Sequence, residues 1–219
     1  MERYNYSILF KIMTDSKKKR ITKKQIESQL DKLYSHDTYC INLQNKEEFS
    51  NERHSVYGEI TRHSVDGILD MFSKKFGKTA VFYDLGCGHA KMVSHIALKS
   101  KAKKVVGIEL SKERYNKALE ICSEIEFHGT QPAIINGNFL NEDLSDATVV
   151  YIDNTMYEPA ILGHVVEKLP KGCLLIYKTG GMTTGDRFFP LNTSYNKKDR
   201  LPKDSLAAFW MCCASYRYV

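Results

Sequence analysis

The chain has 219 residues, 42% of them hydrophobic and 26% charged, which suffices for one domain with a substantial core. No apolar run approaches the roughly 20 residues that cross a bilayer, and the amino-terminal stretch lacks the apolar core of a secretory signal. Six cysteines (Cys40, Cys87, Cys122, Cys173, Cys212 and Cys213) show no paired metal-ligand spacing, so no metal is expected and the thiols should lie buried in a reducing compartment.

Residues 1–24 hold eight Lys or Arg against two acids, which accounts for the whole formal net charge of +6. A basic arm ahead of a neutral body suits an anionic partner such as DNA, or a nuclear address; it equally suits an ordinary solvated tail. The expected organisation is therefore an arm over 1–24 and a domain with a helical lead-in over 25–219. Residues 22–34 place Ile26, Leu30, Leu33 and Tyr34 on one helical face. Residues 61–76 do the same with Val65, Ile68, Leu69, Phe72 and Phe76, with Thr61 placed to cap the start and Gly77 to end the helix.

From residue 79 the pattern changes to short apolar runs alternating with amphipathic helices. Strands are expected at 79–83, 105–108, 133–135, 148–152 and 173–177, with helices near 90–99, 111–126 and 158–169. Such alternation implies a mostly parallel sheet covered on both faces. Residues 180–205, rich in Gly, Pro, Thr and Asn, read as loop. The aromatic end, 207–211 and 215–219, is expected to add closing antiparallel strands.

Ligands of such sheets sit beyond the carboxyl ends of the strands, and four of those ends carry polar groups here. Asp84-Leu85-Gly86-Cys87-Gly88 is a glycine turn after a strand, where Gly86 and Gly88 let backbone approach a ligand. Glu109 ends the next strand and can accept two ribose hydroxyls. Gly137-Asn138-Phe139 offers an amide to an adenine edge and a ring to its face. Asp153-Asn154 follows the run Val149-Val150-Tyr151-Ile152. Each has an ordinary use as a tight turn, a strand end or a helix cap; their joint order favours a nucleotide-type cofactor. Asp84 would repel a pyrophosphate but attract a cation, which points to S-adenosylmethionine rather than a dinucleotide. His89 and Lys91, beside the turn, are expected to be solvated surface groups.

The chain also resembles the non-SET histone-lysine methyltransferases named for disruption of telomeric silencing. The resemblance rests on Tyr57-Gly58-Glu59, the glycine turn, Gly107-Ile108-Glu109, Gly137-Asn138-Phe139-Leu140, and Asp153-Asn154 followed by Tyr157 and Pro159. It implies a class I S-adenosylmethionine-dependent methyltransferase fold, a seven-stranded, mostly parallel, Rossmann-like sheet with an N-terminal helical extension. It also implies that Glu59, Asp84, Gly86, Gly88, Glu109, Asn138, Phe139 and Asn154 bind the cofactor. Tyr57, Asn154 and Tyr157 would line the lysine channel and position the amine. The chain departs from the family pattern at Ala90 (third glycine), Lys91 (Gln), Asn138 (Asp), Asp153 (Asn) and Thr155 (an aromatic).

The function so implied is protein-lysine N-methylation of a core lysine of histone H3 in nucleosomes, in the nucleus, with the arm available to DNA. Two alternatives stay open: a methyltransferase for a non-histone protein or RNA, and a cofactor-binding module without catalysis.

Overall fold

The computed structural model describes residues 22–36, 58–154, 157–178 and 206–210. Six strands among them form one sheet: β1 (Val81–Leu85), β2 (Lys104–Glu109), β3 (Ala133–Asn136), β4 (Val149–Ile152), β5 (Leu174–Lys178) and β6 (Leu206–Trp210). Their order is β3-β2-β1-β4-β5-β6 and every pairing is parallel. The helices are α1 (Lys23–Ser35), α2 (Arg62–Met71), α3 (Lys91–Lys99), α4 (Lys112–Glu124) and α5 (Pro159–Lys168), with a 3-10 turn at Ser73–Phe76. The order of connection reverses between β1 and β4. That reversal opens a crevice above their carboxyl ends, the usual ligand position in such sheets.

β1 is buried along its whole length because helices cover both faces. Phe82 faces α2 and α3, packing with Val65, Ile68, Val93 and Ile96. Tyr83 and Leu85 face the opposite layer with Ile108, Ile152 and the α5 residues Val165 and Val166. α1 is part of this body, since Leu30 and Leu33 are fully buried against Leu98, Ile121 and Ile125. Thr22 starts α1 with a capping box, its hydroxyl accepting from the Gln25 N–H while the Gln25 side chain accepts from the Thr22 N–H.

Three expectations change. The helix expected over 61–76 stops at Met71: Phe72 leaves helical geometry (φ −110°, ψ 27°) and a 3-10 turn then brings Phe76 into the core beside Phe82. The first strand runs to Leu85, so Asp84 lies within it, opposite Gly107 and Tyr151. Pairing on both sides carries the strand past its last apolar residue. Finally, residues 206–210 lie parallel to β5 rather than antiparallel. A parallel neighbour needs a crossover of a dozen or more residues, and 179–205 provides that length. The strand expected at 215–219 and the loop expected at 180–205 fall outside the described residues.

Candidate functional site

The glycine turn is fixed by bonds that only backbone can make. The N–H groups of Gly86 and Cys87 donate to the Ile108 carbonyl at 2.8 and 3.0 Å, tying the turn to the end of β2. Gly86 (φ 82°) and Gly88 (φ 53°) both occupy the left-handed region, where a side chain is disfavoured. Gly107 serves the same turn from β2. A Cβ there would stand 2.6 Å from the Cys87 Sγ and 2.9 Å from Val93. The sequence marks Gly107 as a strand residue and as part of the Gly107-Ile108-Glu109 resemblance, and the physical need for glycine appears once Cys87 lies over it.

Three carboxylates converge at this end of the sheet. Both oxygens of buried Glu109 are engaged, Oε2 accepting from the Gly88 N–H at 2.8 Å and Oε1 from the Ser111 N–H at 2.9 Å. A carboxylate oxygen has a second lone pair, so a ribose diol can still be accepted. Burial raises the Glu109 pKa, against the nearby Arg114 guanidinium and the two amides. Asp84 is pushed up to about 8, first by burial and then by repulsion from Glu109 and Asp153. At neutral pH it is a neutral acid in an anionic corner.

The opposite wall comes from the segment after β4. Asn154 leaves β4, and its backbone carbonyl accepts from the Tyr157 N–H at 3.2 Å. The Asn154 Oδ1 is buried with no hydrogen-bond partner among the described residues. The Tyr157 hydroxyl would lie 3.1 Å from a Cβ placed on Gly86, so glycine leaves room exactly between turn and phenol. Phe139 meets Tyr157 edge to face at 5.7 Å, and burial together with Glu109 raises the Tyr157 pKa. Asp84, Gly86, Gly88, Glu109, Phe139, Asn154 and Tyr157 thus come together. Asn138 is exposed, and its Oδ1 accepts from the Leu140 N–H at 2.9 Å. Tyr57 lies outside the described residues.

His89 and Lys91 are not surface groups; both are almost wholly buried. The Lys91 Nζ donates to the Glu59 Oε2 at 2.5 Å and to the His36 carbonyl at 2.8 Å, while the His89 Nδ1 lies 3.5 Å from the Glu59 Oε1. Burial of such a cation follows from a partner 32 residues away in the chain, which no local pattern announces. Ala90, at the start of α3, takes left-handed geometry (φ 61°, ψ 25°), the conformation the absent third glycine would adopt at no cost.

The family model described as "Histone methylation protein DOT1" matches residues 34–180, more than half of the chain. The chain belongs to that family. Among curated relatives of this DOT1-family chain, a protein-lysine N-methyltransferase of Saccharolobus islandicus is 38% identical over 78 residues, covering 35% of this chain and 47% of the relative. A histone-lysine N-methyltransferase, H3 lysine-79 specific, of Caenorhabditis elegans is 29% identical over 119 residues, covering 49% of this chain and 12% of the relative. The chain thus spans less than half the length of these relatives. Among solved structures, an RNA methyltransferase from Salinibacter ruber bound to S-adenosyl-L-homocysteine has 25% identity and a TM-score of 0.47, covering 61% of this chain and 86% of that one. A magnesium protoporphyrin IX methyltransferase from Synechocystis has 16% identity and a TM-score of 0.45, covering 64% and 73%.

The DOT1-family fold is the class I methyltransferase fold, and its cofactor is S-adenosylmethionine. The residues fit that cofactor. The corner of Asp84, Glu109 and Asp153 gathers three carboxyl groups, with the Arg114 guanidinium near Glu109, and a sulfonium and an ammonium group suit such an acidic surround. The unpartnered Asn154 Oδ1 is an acceptor awaiting a donor, and the missing Cβ at Gly86 keeps the space open.

Proposed function

We propose that this chain is an S-adenosylmethionine-dependent protein-lysine N-methyltransferase acting on a core lysine of histone H3 in nucleosomes, in the nucleus. The observation that carries the proposal is the acidic crevice between β1 and β4, faced by Asn154 and Tyr157, in a chain of the DOT1 family. The cofactor supplies a methyl group on a sulfonium, transferred in line to a neutral amine.

The protein's part is to bind, to align and to keep water out, which contributes more here than an acid–base pair would. Asp84 and Glu109 would hold the cationic end and the ribose. Phe139 would cover the adenine, and Gly86 and Gly88 would let the backbone come close. Asn138 would meet the adenine edge, and Glu59, in the loop before α2, would contact the cofactor. Tyr57, Asn154 and Tyr157 orient the lysine amine. A lysine ammonium with a pKa near ~10.4 must shed its proton before attack, and an apolar channel lowers that pKa by desolvation. No residue is assigned as an obligatory base. The buried Cys87 thiol, whose pKa is raised by burial and by Asp84, is not a nucleophile.

One observation favours a second reading, a cofactor-binding module without catalysis: Glu59 is already engaged by Lys91 where the family carries Gln. The deciding experiment is incubation with labelled cofactor and recombinant nucleosomes, free histones or RNA, followed by mass spectrometry. Methylated H3 in nucleosomes is the expected result. Label on RNA or on another protein alone would redirect the substrate assignment, and failure to bind S-adenosylhomocysteine in calorimetry would leave neither reading standing. Asn154→Ala is expected to lower methyl transfer about 100-fold, the usual scale for a misplaced reactant.

A further inference from the structure

The amino ends of the strands, opposite the cofactor crevice, carry a separate concentration of charge. Residues 71–104 contain eight lysines and a single acid, Asp84, although the chain after residue 24 is balanced overall. Lys91 is buried in the cofactor region. The other seven lie at the far end of the sheet: Lys74 and Lys75 in the 3-10 turn, Lys78 ahead of β1, Lys99 at the end of α3, Lys101 and Lys103 in the loop that follows, and Lys104 at the start of β2.

Backbone bonds hold those segments side by side. The Lys101 N–H donates to the Phe76 carbonyl at 3.3 Å, and the Lys103 N–H to the Ala80 carbonyl at 2.8 Å. Lys99 pairs with Asp66 at 2.5 Å and Lys104 with Asp146 at 2.8 Å. Lys74, Lys75, Lys78, Lys101 and Lys103 are exposed and form no ion pair among the described residues. The exposed carboxylates that flank them in the chain are Asp70, at the end of α2, and Glu120 on α4, which is already paired with Lys117; the unpaired lysines outnumber these.

We propose that this face docks the phosphate backbone of a nucleic acid duplex. Lysine is a point charge suited to phosphate, and no arginine is present in these loops to grip a carboxylate in bidentate fashion. Phe76 and Phe82 are buried and Phe72 is half-buried against the core, so among the described residues the face offers no exposed aromatic ring on which single-stranded bases could stack. Among the described residues Met71 is the one exposed large apolar side chain beside it, too little to enter a bilayer. Contacts of this kind position a protein without reading sequence. The proposal is independent of methyl transfer and differs from any role of the 1–24 arm, because it places the duplex on the folded body.

The test uses the whole chain and a short DNA duplex of arbitrary sequence, followed by anisotropy across a salt series. Changing Lys74, Lys75, Lys101 and Lys103 together to Glu should weaken binding roughly tenfold or more near 0.1 M salt. It should also lower the slope of log affinity against log salt by about 3 to 4, at ~0.9 per phosphate contact. S-adenosylhomocysteine binding and the melting temperature serve as controls, and a four-Gln version replaces the four-Glu version should the latter unfold. The chain lacking residues 1–21, which spares the Thr22 cap, should still bind duplex. Affinity within twofold of the parent in the four-lysine variant overturns the proposal. So does loss of all duplex binding with the arm, or a variant that loses anionic vesicles or polyglutamate but keeps DNA.

Discussion

Asp84 combines a buried carboxyl with two anionic neighbours, and its consequences are measurable. Its pKa of about 8 in the folded chain lies above the ordinary value of 3.8. Between those limits the native state holds the extra proton, so this group makes stability fall as pH rises from about 4 to about 8. Asp84→Asn should remove that slope, which urea titrations at several pH values would reveal. The same substitution should weaken S-adenosylhomocysteine or S-adenosylmethionine binding at least tenfold, because a cationic ligand draws the proton off Asp84 and pairs with the anion. In the parent, calorimetry near pH 6.5 in buffers of different ionisation enthalpy should register proton release on binding the cationic cofactor. Ala90 gives a second prediction. Left-handed geometry costs a non-glycine residue roughly 1–2 kcal/mol, partly offset by the chain entropy glycine adds and by burial of its methyl group. Ala90→Gly is expected to raise the melting temperature slightly or leave it unchanged; a clear fall would mean the buried methyl matters more. Residues of this kind differed in legibility. Asp84 and Glu109 were readable because strand ends and glycine turns are local patterns, whereas the burial of Lys91 and His89 depended on Glu59, far away in sequence.

At the level of elements, close approach and side-chain ties decide what positions the site. Gly107→Ala would force a methyl against Cys87 and Val93, displacing the turn above it, and should cost about 1–3 kcal/mol in denaturant unfolding. The helical lead-in is joined to the body by a polar relay. The Tyr34 hydroxyl on α1 bonds the His95 Nδ1 on α3 at 2.9 Å, and the His95 Nε2 faces the Asp66 Oδ1 on α2 at 3.0 Å. A neutral ring protonated on Nε2 satisfies both contacts. Burial pushes His95 down to about 4 against the attraction of Asp66, with Lys99 and Arg62 adding to the fall. The unfolded chain therefore takes up this proton first, and the relay loses stability as pH drops from about 6.5 to about 4, opposite in sign to Asp84. His95→Asn should flatten the fall on that side. The α2 boundary shows why elements were only partly legible: an apolar stripe at helical spacing continued to Phe76, yet the chain gained more by turning at Phe72 to seat Phe76 in the core.

For the whole molecule, the alternation of strands and helices was enough to give the parallel sheet and its ligand end, since both follow from pattern and chain connection. The direction of β6 was not readable, because a short aromatic strand pairs equally well either way and only the length of the connection favours the parallel course. The distribution of charge was half visible. The arm stood out as a run, but the lysines at the amino ends of β1 and β2 are spread over a 3-10 turn, a helix end and the loops between, which folding brings together. A further consequence concerns α1. Its end is held through the His36 carbonyl by the same Lys91 ammonium that holds Glu59, and Lys32 donates to the Glu124 carbonyl at 2.9 Å while Arg62 bonds Asp31 at 2.6 Å. With Leu30 and Leu33 buried as well, the helix behaves like a ligand seated in its receptor rather than a tail on a string. A protease site engineered between residues 36 and 58 and then cut should yield two fragments that co-elute as one particle. Leu33→Ala, at a cost of about 2–5 kcal/mol for a buried leucine, should let them part.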